Sequence, residues 1–159
     1  SEYRRLCGET KAQAVSDMLA LELEADPTAK RVVFCHHVGV GIMLHNALRH
    51  FGAMMITGSV TAKQRTDNVK RFQTDPNCRV AICNIVAGGT GITLTAADDV
   101  VFAEMSYSPG DMLQAIDRIY RIGQTRPCRA RMASLNGSID EQMTQILQRK
   151  MAAIREVMT

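Results

Sequence analysis

Residues 31–52, RVVFCHHVGVGIMLHNALRHFG, place a short apolar run rich in β-branched residues directly before a helical pattern. The first five residues, 31–35, are typical of a buried strand. Four apolar residues from Leu44 to Phe51 follow at the i, i+3, i+4, i+7 spacing of one helix face, and Gly52 stands where a helix C-terminal cap favours glycine. This stretch predicts a strand, a helix and a turn, in that order.

The same alternation continues on both sides of this unit. Thr61 and Gln64 have the spacing of a capping box, and Ser108, Pro109 and Asp111 are suited to begin a further helix. The predicted helices span residues 10–23, 44–51, 61–72, 108–121 and 138–159, and the predicted strands span 31–35, 54–56, 79–83, 100–102 and 130–135. Strands separated by helices predict an α/β fold of RecA-like or Rossmann-like kind, with a parallel sheet flanked by helices.

The composition predicts one soluble domain over residues 1–159, in which residues 138–159 form a terminal helix. Of the 159 residues, 46% are hydrophobic and 22% are charged, which is close to the average for a globular fold. No stretch reaches the roughly 20 apolar residues that span a bilayer, and the first residues lack the apolar core of a signal peptide. We therefore expect no membrane partner.

The five cysteines are an odd number and form no C-x-x-C pair, which favours a reducing, intracellular setting over a disulfide framework or a zinc ribbon. Cys35, His36 and His37 are adjacent, and neighbouring side chains of a strand point to opposite faces. We therefore expect no metal site from them.

Basic residues concentrate in two places. Residues 114–131 contain five arginines and one aspartate, a local net charge of +4, and residues 63–71 contain four basic residues and one aspartate, a net charge of +3. Such clusters indicate polyanion binding, although a solvated helix face explains the second one as well.

The nucleotide motifs of complete enzymes are missing. A dinucleotide fingerprint fits at Gly39 and Gly41 but fails at Leu44, which makes Rossmann cofactor binding a weak alternative. No G-x-x-x-x-G-K-[ST] run is present, and Asp140 and Glu141 follow a turn and a helix cap rather than an apolar strand. Alone, the chain is not a complete P-loop ATPase.

Residues 114–124, QAIDRIYRIGQ, carry the strongest chemical pattern. On a helix, Gln114, Arg118 and Arg121 share one face, opposite the apolar residues. A guanidinium is always charged and its forked donors suit a phosphoryl group, as in an arginine finger. The alternative is a surface helix in which Asp117 pairs with Arg121 at i+4.

These residues lie within a longer resemblance. DRIYRIGQ (117–124), preceded by AGGTGITLTAADDVVFAE (87–104), resembles motifs VI and V of the Swi/Snf family of superfamily-two DNA translocases. KRVVFCHH (30–37) and ITGSVTAKQRTDNVKRF (56–72) resemble motif IV and the segment after it. The resemblance covers residues 8–150, and HH, VVFAE and SPGDMLQAIDRIYRIGQT favour the annealing-helicase subgroup.

The resemblance implies that the chain is the second of two RecA-like lobes, with ATP and Mg²⁺ bound mainly by the first. It places Arg118 and Arg121 at the nucleotide phosphates, with Arg121 as the arginine finger. Gln114 would help to set motif VI, and the backbone of Gly89, Thr90 and Gly91 would approach the nucleotide. The implied activity, ATP-driven translocation on double-stranded DNA, exists only when the two lobes are joined.

The resemblance also implies DNA contacts along phosphates, which depend on salt and little on sequence. The candidates by motif position are His36, His37, Gly58, Ser59, Arg65, Asn84 and Thr90. The alternatives are surface filling by the two histidines, helix capping by Ser59 and Thr61, and a solvated position for Arg65. Further implied partners are nucleosomes or replication-fork proteins, in the nucleus of a eukaryote.

Three positions depart from the family pattern: Asn84-Ile85-Val86 before the glycines, Tyr120 in place of a frequent histidine, and Tyr107-Ser108-Pro109 in place of a frequent Trp-Asn-Pro. The first weakens a DNA contact from residue 85 or 86. None of the three departures removes an arginine, so the motor lobe is the first hypothesis. The second hypothesis is a catalytically silent nucleic-acid or protein-binding module.

Overall fold

Five parallel strands form one sheet in the computed structural model, which describes residues 2–57, 60–85, 92–106, 109–134, 145–146, 148–150 and 152–153. The strands are β1 (Arg31–Cys35), β2 (Ala53–Ile56), β3 (Val80–Asn84), β4 (Asp99–Phe102) and β5 (Arg129–Met132). Their order across the sheet is β2-β3-β1-β4-β5. The predicted α/β class and parallel sheet are confirmed.

Four helices flank the sheet in the described ranges: α1 (Glu2–Ala25), α2 (Val38–Leu48), α3 (Ala62–Thr74) and α4 (Pro109–Ile116). A short 3-10 helix over Arg49–Phe51 extends α2. The backbone of Gly52 is left-handed, at φ 72°, and its N–H donates to the carbonyl of Arg49, which confirms the predicted cap. The remaining residues described beyond 144 are helical, and the predicted cap at Ser138 and Glu141 lies outside the described residues.

Alternation along the strands divides the core into two layers. On one face Phe34 of β1 stacks on Phe102 of β4, with ring centroids 5.3 Å apart, and α3 and α4 cover them. On the other face Val33, Ile82 and Val101 pack under α1 and α2. Because both faces are covered, the middle of each of β1 to β4 is a continuous apolar run, as the sequence predicted, whereas the edge strand β5 (RARM) alternates with arginine.

Three predicted helix boundaries are wrong. α2 begins at Val38, not at Leu44. The first helix begins at Glu2, not at Thr10. The helix predicted to reach Arg121 ends at Ile116, where the amides of Arg118 and Ile119 donate to carbonyls three residues back, at 3.2 and 3.1 Å, instead of four. In the turns that follow, the carbonyl of Arg118 accepts from the amide of Leu94 at 2.7 Å, and that of Ile119 accepts from Gln124 Nε2 at 3.0 Å. Residues 117–123 therefore form turns.

No helix in the described part of the chain combines the length and apolarity needed to cross a bilayer. All five cysteines lie within the described ranges, and no disulfide joins them.

Candidate functional site

The carboxyl ends of the parallel strands meet at one edge of the sheet, which we call the carboxyl edge. His36 and His37 follow β1, Asn84 ends β3, and Glu104 follows β4. In a sheet of this kind, ligands collect at this edge because the loops that follow the strands surround it. The structure thus brings three of the predicted DNA-binding residues, His36, His37 and Asn84, to one place.

Hydrogen bonds between neighbouring strands' loops hold these residues. The backbone amides of His36 and His37 donate to Glu104 Oε1 at 2.8 and 2.9 Å, and His37 Nδ1 lies 2.6 Å from Glu104 Oε2. Asn84 Nδ2 donates to the carbonyl of His36 at 2.9 Å. The two imidazole rings meet edge to face, with centroids 4.9 Å apart. The sequence pattern gave Glu104 no role, although this residue ends the quoted VVFAE string.

Arg65 lies at the same edge, in the first turn of α3. Thr61 and Gln64 form a reciprocal capping box there, with bonds of 3.1 and 3.2 Å. Asn68 Nδ2 donates to the carbonyl of Met55 at 3.0 Å, which fixes α3 against β2. Thr61 is thus a cap, as its alternative interpretation proposed, and Arg65 is half-buried at the start of the helix. Gly58 and Ser59 lie outside the described residues.

Arg118 lies beside the end of β3. Its side chain lines a small cavity with Cys83, Asn84 and Ile92, among others. Burial lowers the pKa of the Arg118 guanidinium below its usual value; Cys83 opposes this shift, and the positive charge of Arg121 adds to it. Two guanidinium groups close enough to influence each other form a concentrated positive field, which an anion relieves.

Arg121 contacts the chain on the other side of the glycine-rich segment 86–91. Its Nη1 donates to the carbonyl of Ile92 at 3.2 Å. Arg118 therefore lies beside residues that precede and follow that segment, Asn84 and Ile92, and Arg121 lies beside Ile92. Gly89, Thr90 and Gly91 belong to the segment and lie outside the described residues.

The predicted common face of Gln114, Arg118 and Arg121 needs correction. It assumed one continuous helix, whereas α4 ends at Ile116 and the two arginines are carried by turns. Gln114 is exposed on α4. Burial raises the pKa of Asp117, while the charges of Arg121 and Arg118 oppose that rise.

Gln124 is a structural residue that the sequence pattern did not reveal. Its Nε2 donates to the carbonyls of Thr95, Ala97 and Ile119 at 3.2, 2.8 and 3.0 Å. Its Oε1 accepts from the amides of Thr125 and Arg126 at 3.1 and 3.2 Å. Its position at the end of DRIYRIGQ pointed to this residue, but the sequence did not show its partners, which lie up to 29 residues away.

Further contacts fix the chain that leaves the glycine-rich segment. Gln73 of α3 donates to Thr95 Oγ1 at 3.0 Å and accepts from the amide of Ala96 at 2.8 Å. Arg126 Nη2 donates to the carbonyl of Ala96 at 2.6 Å. Residues 92–97 are therefore tied both to α3 and to the turns that carry the arginines.

The arginines of residues 114–131 do not form one basic surface, which corrects the interpretation of their +4 charge. Arg129 and Arg131 bind the carboxylate of Asp99 at the opposite edge of the sheet, with shortest contacts of 2.5 and 3.1 Å. Arg131 also binds Glu22 of α1 at 2.7 Å, and Arg126 lies 3.8 Å from Asp98. Only the first two arginines of the stretch, at 118 and 121, lie at the carboxyl edge.

Comparison with known proteins shows the family of this chain. Residues 10–123 match the helicase conserved C-terminal domain, and the chain belongs to that family. Within the family it is a second RecA-like lobe of the Swi/Snf type, similar in kind to the annealing helicases.

The relatives are much longer than this chain. It is 40% identical over 145 residues to the DNA annealing helicase and endonuclease ZRANB3 of Homo sapiens, covering 88% of this chain and 13% of that protein. It is 37% identical over 161 residues to the SWI/SNF-related matrix-associated actin-dependent regulator of chromatin subfamily A-like protein 1 homolog of Caenorhabditis elegans, covering 98% and 23%. The Sulfolobus solfataricus SWI2/SNF2 ATPase core in complex with dsDNA is 29% identical, with a TM-score of 0.60 over 74% of this chain and 25% of that one.

Proposed function

We propose that this chain is the second motor lobe of an ATP-dependent double-stranded DNA translocase, active when joined to a first lobe that carries the P-loop. The observation that carries the proposal is the placement of Arg118 beside Asn84 and Ile92, and of Arg121 beside Ile92, at the carboxyl edge. Two adjacent cations beside a backbone segment rich in glycine suit the phosphates of a nucleotide held between two lobes.

The residues at this edge fit a triphosphate better than a divalent cation. Arg118 and Arg121 offer forked N–H donors, which match phosphate oxygens. In the described ranges, no group of three or more His, Cys, Asp or Glu side chains is placed to hold a metal ion. We therefore assign Mg²⁺ to the first lobe, where it supplies neutralisation of the β- and γ-phosphate oxygens.

In this role Arg121 stabilises the charge that develops on the transferred phosphoryl group. Arg118, more deeply embedded at the end of β3, orients the phosphates, and Gln114 and the backbone of Gly89, Thr90 and Gly91 complete the approach to the nucleotide. Both arginines act only when the cleft between the lobes is closed. Hydrolysis adds water to the γ-phosphoryl group and breaks its bond to ADP. Once inorganic phosphate leaves, the charge that the arginines bind is gone and the lobes separate again.

DNA is proposed to bind along the same edge. His36, His37 and Asn84 lie together there, Arg65 lies at the start of α3, and Gly58, Ser59 and Thr90 follow by motif position. Histidine, arginine, amide and backbone donors suit phosphate oxygens, which carry no sequence information. We expect binding that falls steeply with salt and varies little between sequences.

Closure of the lobes and binding of DNA both occur at the carboxyl edge in this proposal. Each cycle of hydrolysis can therefore move the lobe by one step along the duplex. By likeness to its relatives, we assign the parent protein to fork remodelling, strand annealing or chromatin remodelling in the nucleus, with nucleosomes or replication-fork proteins as partners.

The deciding experiment measures ATP hydrolysis by the longer parent protein, with and without duplex DNA. The proposal predicts hydrolysis that duplex DNA stimulates. DNA binding without any hydrolysis would contradict the motor and favour a silent binding module.

A further inference from the structure

Glu104 is a buried acid that follows β4 at the carboxyl edge and is 3% exposed. A carboxylate in such a place is costly unless hydrogen bonds replace its water shell. The donors are the amides of His36 and His37 and, at 2.6 Å, the imidazole of His37. They are 67 and 68 residues away in sequence and belong to the loop that leads from β1 into α2.

The carboxylate also lies at the start of α2. This helix begins at Val38, and His37, its N-cap, makes no side-chain capping bond. Glu104 therefore accepts from the N-cap amide, as the acid at the third helical position of a capping box does, and its negative charge faces the positive end of the helix dipole. The bond to Nδ1 fixes which nitrogen of His37 faces Glu104, and thereby the direction of the other one.

Helix α1 packs over the same carboxylate. A Cβ atom on Gly8 would lie 2.7 Å from Glu104 Oε2 and 3.0 Å from Val40 Cγ2. The backbone of α1 thus approaches Glu104 as closely as a glycine permits. The carboxylate is confined by α1 on one side and by the β1–α2 loop on the other.

From this geometry we infer that Glu104 is a positioning residue for DNA binding, which holds the His36–His37 loop in the conformation that meets the phosphates. The inference rests on the proposed function and adds a residue to it. Glu104 itself does not touch DNA; it acts through the two backbone amides and the ring of His37.

Asp99 provides an internal comparison, because it is also 3% exposed and begins β4, the strand that Glu104 follows. Its carboxylate binds Arg131 and Arg129 at the opposite edge of the sheet, away from the histidines. Loss of either acid removes a buried carboxylate and its hydrogen bonds. Only loss of Glu104 is expected to change the binding of DNA.

The test uses the full-length parent protein in five forms: wild type, Glu104→Ala, Glu104→Gln, His37→Ala and the control Asp99→Asn. For each, the half-saturating concentration of duplex DNA and the maximal rate are obtained from DNA-stimulated ATP hydrolysis, and the thermal midpoint of unfolding is measured alongside.

Glu104→Ala is expected to raise the half-saturating DNA concentration about tenfold, since a hydrogen bond to a charged group contributes about 1.5 kcal/mol or more. Glu104→Gln retains an oxygen that can accept from the two amides. We expect this variant to raise the half-saturating DNA concentration by about threefold, and His37→Ala to raise it by the same factor. In each of these three variants, the maximal rate of ATP hydrolysis is expected to fall by a smaller factor than the half-saturating DNA concentration rises. Asp99→Asn is expected to lower the thermal midpoint and leave the half-saturating concentration within about twofold of wild type.

Half-saturating concentrations for the Glu104 and His37 variants within about twofold of wild type would overturn the inference while leaving the proposed function intact. The inference also fails if Asp99→Asn raises that concentration as much as Glu104→Ala does, because the effect would then be general destabilisation. If Glu104→Ala does not fold, Glu104→Gln and His37→Ala decide by the same criterion. Absence of DNA stimulation in wild type would instead contradict the proposed function, and the inference with it.

Discussion

The guanidinium of Arg121 donates a hydrogen bond to the carbonyl oxygen of Ile92 across 3.2 Å. The bond joins the turns after α4 to the chain that leaves the glycine-rich segment, 29 residues earlier. The amide of Leu94 makes a second link, to the carbonyl of Arg118 at 2.7 Å. These two bonds couple residues 92–94 to the turns that carry both arginines, beside the proposed nucleotide site.

Removal of the Gln124 side chain is expected to weaken this coupling. Gln124→Ala takes a donor from three carbonyls that lie within the fold, and we expect the free energy of unfolding to fall by about 1–3 kcal/mol. Chemical denaturation measures it. Gln13→Ala is the control, because Gln13 makes an exposed i, i+4 bond to Asp17, whose loss costs about 0.2–0.5 kcal/mol. Equal losses in the two variants would contradict the structural role of Gln124.

Substitution by alanine of two glycines, one in the first turn of α2 and one after the 3-10 helix that extends it, should change the free energy of unfolding in opposite directions. Gly52 has a left-handed backbone, and a Cβ atom there would overlap the carbonyl of Asn77. Gly52→Ala should lower the free energy of unfolding by more than about 1–2 kcal/mol, the cost of the left-handed conformation alone. Gly39 lies within α2 with no atom near its Cβ position, so Gly39→Ala should raise it by about 0.5–1 kcal/mol. Thermal unfolding of both variants checks the pair, and a stabilising Gly52→Ala would contradict the cap.

Glu22 is expected to make stability depend on acid pH. Burial tends to raise the pKa of this carboxyl, but hydrogen bonds and charge from Arg131 and Arg31 outweigh burial and hold the pKa below its usual 4.5. A pKa depressed in the folded state contributes stability above about pH 4.5, and this contribution is lost as the pH falls through the folded value. The free energy of unfolding of wild type should therefore exceed that of Glu22→Gln at about pH 7 by more than it does at about pH 3. A difference that does not change with pH would contradict the ion pair.

A contact between Arg65 and DNA phosphate should be visible in the salt dependence of binding. Loss of one phosphate contact makes the slope of log K against log salt shallower by about 0.9. Arg65→Ala in the parent protein should show this change for any duplex sequence. Arg71→Ala is the control, since Arg71 lies in the last turn of α3, 3.6 Å from Asp75. Unchanged slopes for both variants would remove Arg65 from the proposed interface.

Elements set by local interactions were predictable from the sequence. The cap at Gly52 and the capping box of Thr61 and Gln64 depend on residues three or fewer positions apart, and both are confirmed. The strands were predictable because continuous apolar runs indicate burial on both faces. The placement of Arg118 and Arg121 beside one loop followed from the motif order, while their catalytic roles remain predictions.

Features set by distant residues were not predictable in the same way. The turns that follow α4 are held by Leu94 and Gln124, which bind the carbonyls of Arg118 and Ile119. The role of Glu104 depends on amides 67 and 68 residues away. Arg131 lies in an apparently basic stretch, yet Asp99 and Glu22 bind it at the opposite edge of the sheet. Local pattern contains no information about such partners.

We propose that this lobe completes an ATP site with Arg121. The most direct measurement is DNA-stimulated ATP turnover by the parent protein carrying Arg121→Ala, together with its affinity for duplex DNA and its thermal midpoint. We predict that turnover falls by about 10³–10⁵, as for loss of an arginine finger, while DNA affinity and the midpoint stay near those of wild type. Turnover equal to that of wild type would show that Arg121 does not act on the nucleotide.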